Sequence, residues 1–93
     1  MALDITQYLE FSPTHRLQWE EAQEKHVILY PEGMVELNAS SAAILKLCDG
    51  TRKLDDIVEA LEQQFATNGL KNDISDFLET AIENGWIRQS PNQ

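Results

Sequence analysis

The spacing of apolar residues changes character twice along the chain. At the start, Leu3, Ile5, Tyr8, Leu9 and Phe11 stand among acids and amides and stop at Ser12-Pro13, a pair that disfavours helix before the proline. Ile5, Tyr8 and Leu9 have the spacing of one face of a short helix, so residues 1–15 read as an N-terminal arm. Its apolar side chains need cover, from its own domain or from a partner.

From Arg16 the period becomes two. Arg16 to Trp19 and His26 to Tyr30, joined by the polar stretch Glu20 to Lys25, predict a hairpin with Leu17 and Trp19 on one face. The second of these strands is apolar on both faces and is expected to be central. Pro31-Glu32-Gly33 supplies a turn, and Met34 to Leu37 follows as a short third strand.

The period then lengthens to that of a helix. Asn38, with Ser40 and Ser41, offers a cap to a first helix running through Ala42 to Cys48 and closed by Asp49-Gly50. Leu54, Ile57, Val58, Leu61 and Phe65 recur at three- and four-residue intervals and predict a second helix ending near Thr67-Asn68-Gly69. A third begins at Asn72 or Asp73, presents Ile74, Phe77, Leu78, Ala81 and Ile82, and stops at Asn84-Gly85, with Trp86 and Ile87 tucked beneath the helices. The expected fold class is α+β: a small winged helix-turn-helix-like domain over residues 16–90, with a three-stranded antiparallel sheet followed by three helices.

Composition narrows the functional classes. With 93 residues there is one core, and 42% apolar with 25% charged residues is ordinary for a globular chain. A single cysteine, no secretory signal pattern and no apolar run near the roughly 20 residues of a membrane span predict a cytoplasmic protein that does not enter the membrane. The net charge of −9 repels phosphate backbones, and the third helix carries Asp73, Asp76, Glu79 and Glu83, so nucleic acid is not the expected partner.

No catalytic set emerges. Cys48 lies on the apolar face of the first helix, where a free cysteine behaves as a small hydrophobe. His15 and His26 have no cysteine or histidine partners at metal-ligand spacing, and the four glycines stand singly at element boundaries instead of forming a phosphate loop. No enzyme, metal or cofactor is expected. The remaining candidate is backbone: at a sheet edge, Met34 to Leu37 would accept an added strand from another chain, whereas in a covered sheet the same residues are core. The pattern leaves both readings open.

Particular residues add to this. Leu29-Tyr30-Pro31-Glu32-Gly33-Met34, Leu37-Asn38, Ile44-Leu45-Lys46-Leu47-Cys48-Asp49-Gly50, Asp73-Ile74, Phe77-Leu78 and Gly85-Trp86, in that order, resemble the PqqD family of pyrroloquinoline quinone biosynthesis proteins. The resemblance covers Arg16 to about Arg88; the arm lies outside it, and Lys53 stands where a Ser or Thr cap is expected.

The resemblance implies a peptide chaperone, a recognition element for ribosomally made and modified peptides. Such a chaperone binds the leader of the precursor peptide PqqA and presents it to the radical SAM enzyme PqqE, which joins a Glu and a Tyr side chain of the peptide. It implies backbone pairing along Met34, Val35, Glu36 and Leu37, and a helix wall of Asp73, Phe77, Thr80, Ala81 and Asn84. Val35 is the strand position at which a proline is expected to weaken docking, although only alternate amides of an edge strand face outward. Exchange of the arm between two copies would make a homodimer. The competing readings are a general winged-helix interaction or regulatory module and, further off, a weak nucleic-acid binder.

Overall fold

Val27 and Ile28 are sequence neighbours, yet both are fully buried, which a strand achieves only when both its faces are covered. The computed structural model describes residues 3–92. They form β1 (Tyr8–Phe11), β2 (Arg16–Glu20), β3 (Lys25–Tyr30), β4 (Gly33–Glu36), α1 (Ala39–Leu45), α2 (Leu54–Gln64), α3 (Lys71–Glu83) and β5 (Ile87–Ser90). The expected meander is present as an antiparallel sheet in the order β2-β3-β4, with β3 central, followed by the three helices. One face of β3 turns Ile28 into the main core, where Leu17 of β2 and Val35 of β4 also pack. On the other face Val27 lies between Gln18 and Glu36, with Lys25 Nζ reaching Glu36 Oε1 at 3.3 Å alongside.

The start of the chain departs from expectation. Ile5 and Thr6 lie in a turn, and Tyr8–Phe11 is strand where the spacing suggested helix. β1 pairs antiparallel with β5, Tyr8 opposite Ser90 and Phe11 opposite Ile87. This second sheet was not anticipated, because its two strands are four residues each and lie at opposite ends of the sequence.

Several bonds hold the segment on its own domain. The Leu9 amide donates to the Arg52 carbonyl at 3.0 Å, and the Gly50 amide donates to the Leu9 carbonyl at 2.8 Å. Gly50 has a φ of +87°, and a Cβ there would sit 3.2 Å from Glu10 Oε1, so glycine suits both the conformation and the contact. Arg88 Nε reaches Glu10 Oε2 at 2.7 Å, while Asp4 exchanges two hydrogen bonds with the Gln89 side chain. Leu9 is thereby fully buried in the same cluster as Ile28, Leu54 and Leu78.

The helices differ from expectation mainly at their ends. Asn38 caps α1 as foreseen, its Oδ1 accepting from the Ser41 amide at 2.8 Å. The helix stops at Leu45, and the Leu47 and Cys48 amides close three-residue turns onto Ile44 and Leu45. Lys53 has no capping side-chain oxygen; instead Asp56 Oδ2 accepts from the Lys53 amide at 3.0 Å, half of a capping box.

α2 ends before Gly69 because Ala66 takes the left-handed conformation, φ 51°. The Thr67 amide then bonds the Glu62 carbonyl at 3.0 Å, closing a Schellman turn. α3 starts at Lys71, earlier than Asn72 or Asp73, and the Leu70 amide is satisfied from a distance by Glu62 Oε2 at 3.1 Å. It stops at Asn84-Gly85 as expected, with the Trp86 amide on the Ala81 carbonyl. No helix among the described residues is long and apolar enough to cross a membrane.

The buried position of Leu9 makes a direct test of this architecture. Leu9→Ala is expected to lower unfolding free energy by about 2–5 kcal/mol. Ile5→Ala, at a residue 55% exposed, is expected to stay within about 0.5 kcal/mol. Urea denaturation of the two variants measures both.

Candidate docking edge

β4 begins where Pro31 and Glu32 turn the chain and Gly33, at φ 155°, admits a backbone angle that side chains avoid. β3 flanks it on one side, and no strand among the described residues pairs with the other. The ladder places Leu29 opposite Met34, Ile28 opposite Val35 and Val27 opposite Glu36. One residue further, the Leu37 amide donates to the His26 carbonyl at 3.0 Å. Hydrogen-bonded pairs in an antiparallel ladder recur every second residue, so Val35 and Gly33 also turn their amides and carbonyls toward β3. Met34 and Glu36 turn theirs outward.

That parity alters the reading of the strand. Val35, singled out in the sequence for a proline substitution, uses its amide inside the sheet, and its half-buried side chain packs on the core. Leu37 lies just beyond β4 and is 7% exposed, so its amide and its side chain are both committed to the domain. The open positions are Met34, 46% exposed, and Glu36, whose carboxylate meets Lys25 at the surface.

On α3, Asp73, Phe77, Thr80 and Asn84 follow one another at intervals that keep them on a single stripe. Asp73 is exposed in the first turn, Phe77 is half buried against the core, and Thr80 is exposed with its hydroxyl donating to the Asp76 carbonyl at 3.1 Å. Asn84 is exposed at the C-cap. Ala81 borders this stripe but is fully buried, so its methyl belongs to the core. α3 packs chiefly on α2 and β5, and β4 chiefly on β3, leaving the strand edge and the helix stripe without a substantial direct contact.

A cavity of about 190 Å³ opens where the three helices meet, lined by Ser40, Ala43 and Ile44 of α1, Leu61 of α2, Phe65, and Leu70, Asp73 and Ile74 at the start of α3. Asp73 connects this hollow to the stripe. Phe65 was read in the sequence only as part of the apolar period of the second helix and Leu70 was not singled out, yet Phe65 is 54% exposed at the rim. The signal for it was available: Phe65 ends the apolar period of α2 beside Ala66 and Thr67, where nothing follows to bury it.

The surface of α3 is acidic along its length. Its one cation, Lys71, is held by Asp55 Oδ1 at 3.2 Å. Cys48 is buried, its thiol contacting the Ile44 carbonyl at 3.6 Å. Burial, and secondarily the neighbouring Asp49 carboxylate, push the thiol up to about 12. It stays protonated at neutral pH, which removes its nucleophilic form.

Comparison with known proteins places this architecture. The family profile described as Coenzyme PQQ synthesis protein D (PqqD) matches residues 25–87. A protein of Methylococcus capsulatus named PqqA binding protein is 53% identical over 89 residues, 96% of each chain. A PqqA binding protein of Klebsiella pneumoniae is 47% identical over 83 residues, 88% of this chain and 90% of its own. The solution structure of the PqqD truncation of Methylobacterium extorquens PqqCD superposes with a TM-score of 0.78 at 26% identity, covering 94% of this chain and 95% of the other. That protein is described as a functional and stand-alone recognition element for ribosomally synthesized and post-translationally modified peptides. The heterocyclase TruD shares the fold, with a TM-score of 0.69 at 22% identity over 90% of this chain and 12% of its own.

The buried thiol yields a prediction independent of any partner. Cys48 is expected to resist an aromatic disulfide reagent at pH 8 in the native protein and to react fully in denaturant, as absorbance of the released thiolate would record. Because the folded pKa lies above the unfolded one, the thiol's contribution to stability is whole below about pH 9. It is lost as pH rises toward about 12.

Proposed function

The chain belongs to the PqqD family, and we propose that it binds the leader of the precursor peptide PqqA as a strand along β4 and presents it to the radical SAM enzyme PqqE. The observation that carries this reading is the pair of outward-facing backbones at Met34 and Glu36 on a strand with no partner on that side among the described residues. A peptide laid there in antiparallel register gains main-chain hydrogen bonds from both residues, and these set its register without demanding a sequence. In this reading the side chains of Asp73, Phe77, Thr80 and Asn84 on α3 supply selectivity to a peptide long enough to reach from the strand edge to the helix. The cavity at Phe65 and Asp73 offers space for one apolar side chain beside an acid.

The role is docking, with the chemistry done elsewhere. PqqE joins the Glu and Tyr side chains of the peptide, and this chain holds the leader while the rest of the peptide reaches the enzyme. A leader free in solution loses chain entropy when it orders on the strand, which limits affinity per unit of buried surface. Binding peptide and enzyme together offsets that loss: the enzyme's encounter with the peptide becomes intramolecular, at a local concentration on the order of millimolar for a short tether.

Glu36→Pro tests the strand. Proline is tolerated on an edge strand where the lost amide faces outward, so the fold is expected to persist by circular dichroism. Affinity for PqqA by calorimetric titration is expected to fall about tenfold or more, a change worth about 1.4 kcal/mol or more. Glu36→Ala keeps the amide and is expected to stay within about threefold, since an exposed pair with Lys25 contributes roughly 0–1 kcal/mol. Equal affinity for the proline and alanine variants would rule out pairing at Glu36.

A further inference from the structure

Phe65, just past the end of α2, leaves half of its ring in solvent at the rim of the cavity between the helices. Ala43, Ile44, Leu61, Leu70 and Ile74 make the walls of that cavity apolar, and Ser40 and Asp73 are the two polar residues that line it. An exposed aromatic ring beside an apolar hollow is covered when an apolar side chain enters, which removes both surfaces from water.

The charges at the mouth are of one sign. Asp73 is exposed and in no ion pair among the described residues. Glu62 stands close by, its Oε2 accepting from the Leu70 amide at 3.1 Å. Lys71 is turned away to Asp55 Oδ1 at 3.2 Å. A side chain entering here therefore brings its neighbours against two carboxylates, which favours a cation and repels an acid.

Chain connectivity puts this mouth at the end of the docking strand. Ser40 follows Glu36 by four residues, a distance of at most about 15 Å. A peptide added antiparallel to β4 runs from the Ser40 end toward Gly33, so the residues that precede the one opposite Glu36 pass the cavity. An extended chain covers that distance in about five residues.

We propose that the cavity is a specificity subsite for the leader of PqqA, taking an apolar side chain that stands next to a Lys or Arg, within about five residues on the N-terminal side of the residue opposite Glu36. This rests on the strand docking proposed above. The apolar side chain fills the hollow and covers Phe65, while the neighbouring cation meets the Asp73 carboxylate. The peptide is the occupant because the cavity continues its lane: Ser40 on one wall follows from β4, and Asp73 on the other begins the α3 stripe. A second copy of this chain, at net charge −9, would bring excess negative charge to a mouth that is already acidic.

Calorimetric titration of the full chain with PqqA tests the subsite. Phe65→Ala, at an exposed position, is expected to weaken PqqA binding about tenfold with the circular dichroism spectrum unchanged. Asp73→Asn is expected to weaken it about threefold to fivefold at low salt and to match wild type at high salt. With each Lys or Arg of PqqA replaced in turn by Gln, one peptide is expected to lose affinity for wild type but none for Asp73→Asn, as a direct pair requires. Unchanged PqqA affinity in Phe65→Ala and Asp73→Asn, while Glu36→Pro still weakens binding, would overturn the subsite and leave strand docking in place. Loss in Phe65→Ala alone would overturn the basic neighbour, and tighter binding by Asp73→Asn would reverse its charge. Loss of PqqE binding or of a dimer in Phe65→Ala, with PqqA affinity unchanged, would assign the cavity to the enzyme or to a second copy and overturn the subsite. Wild-type affinity in Glu36→Pro would remove the strand docking on which the subsite's position rests.

Discussion

The hydrogen bond from the Leu37 amide to the His26 carbonyl sets the parity of the β3–β4 ladder, and most of what this domain presents to other molecules depends on that parity. It turns Val35 and Leu37 inward, where their side chains join the core, and Met34 and Glu36 outward in both backbone and exposure. A slip of one residue would exchange the two sets, exposing Leu37 and burying the Glu36 carboxylate, a cost that holds the register in place. The same bond ends the strand next to Asn38, whose side chain starts α1 at once. The helices therefore approach the sheet from the face that carries Ile28 and leave the edge of β4 unobstructed.

Rigidity at the other end comes from a second, smaller sheet. β1 and β5 bring the two ends of the chain together, and Leu9 carries the junction into the core, clasped by backbone bonds to Gly50 and Arg52. The loop after α1 is braced in turn: Thr51 donates to the Asp49 carboxylate, holding it below its ordinary range, and Arg52 pairs with it at 2.9 Å. Strand, loop and helices are thus tied within the domain itself, so under the strand-addition proposal the cost of ordering falls on the added peptide alone.

The meander, its central strand and the order of the helices were legible because each carries a local signal: alternation at His26–Tyr30, the Pro31–Gly33 turn, the Asn38 cap, the stop at Gly85. The β1–β5 sheet was not legible, because Tyr8 and Ser90 meet only once the whole domain has folded and nothing in either tetrapeptide names its partner. The end of α2 was misjudged because Ala66 adopts a conformation normally left to glycine, so Gly69 drew the boundary too late. For the strand proposed to dock the peptide, the sequence placed a strand near Met34 to Leu37 but not its parity: Met34 and Val35 are alike by composition, and only the Leu37–His26 bond separates them. The α3 residues came from the family resemblance, not from the period of the helix, and among them Ala81 required the packed core to be seen as buried.

Residue-resolved amide exchange, followed by NMR in the free chain and with PqqA added, tests the central claim most directly. In the free chain the Val35 and Leu37 amides are expected to exchange slowly and those of Met34 and Glu36 quickly; saturating PqqA should then protect Met34 and Glu36 and change Val35 and Leu37 little. Fast exchange at Met34 and Glu36 that persists at saturating peptide would contradict strand addition at β4.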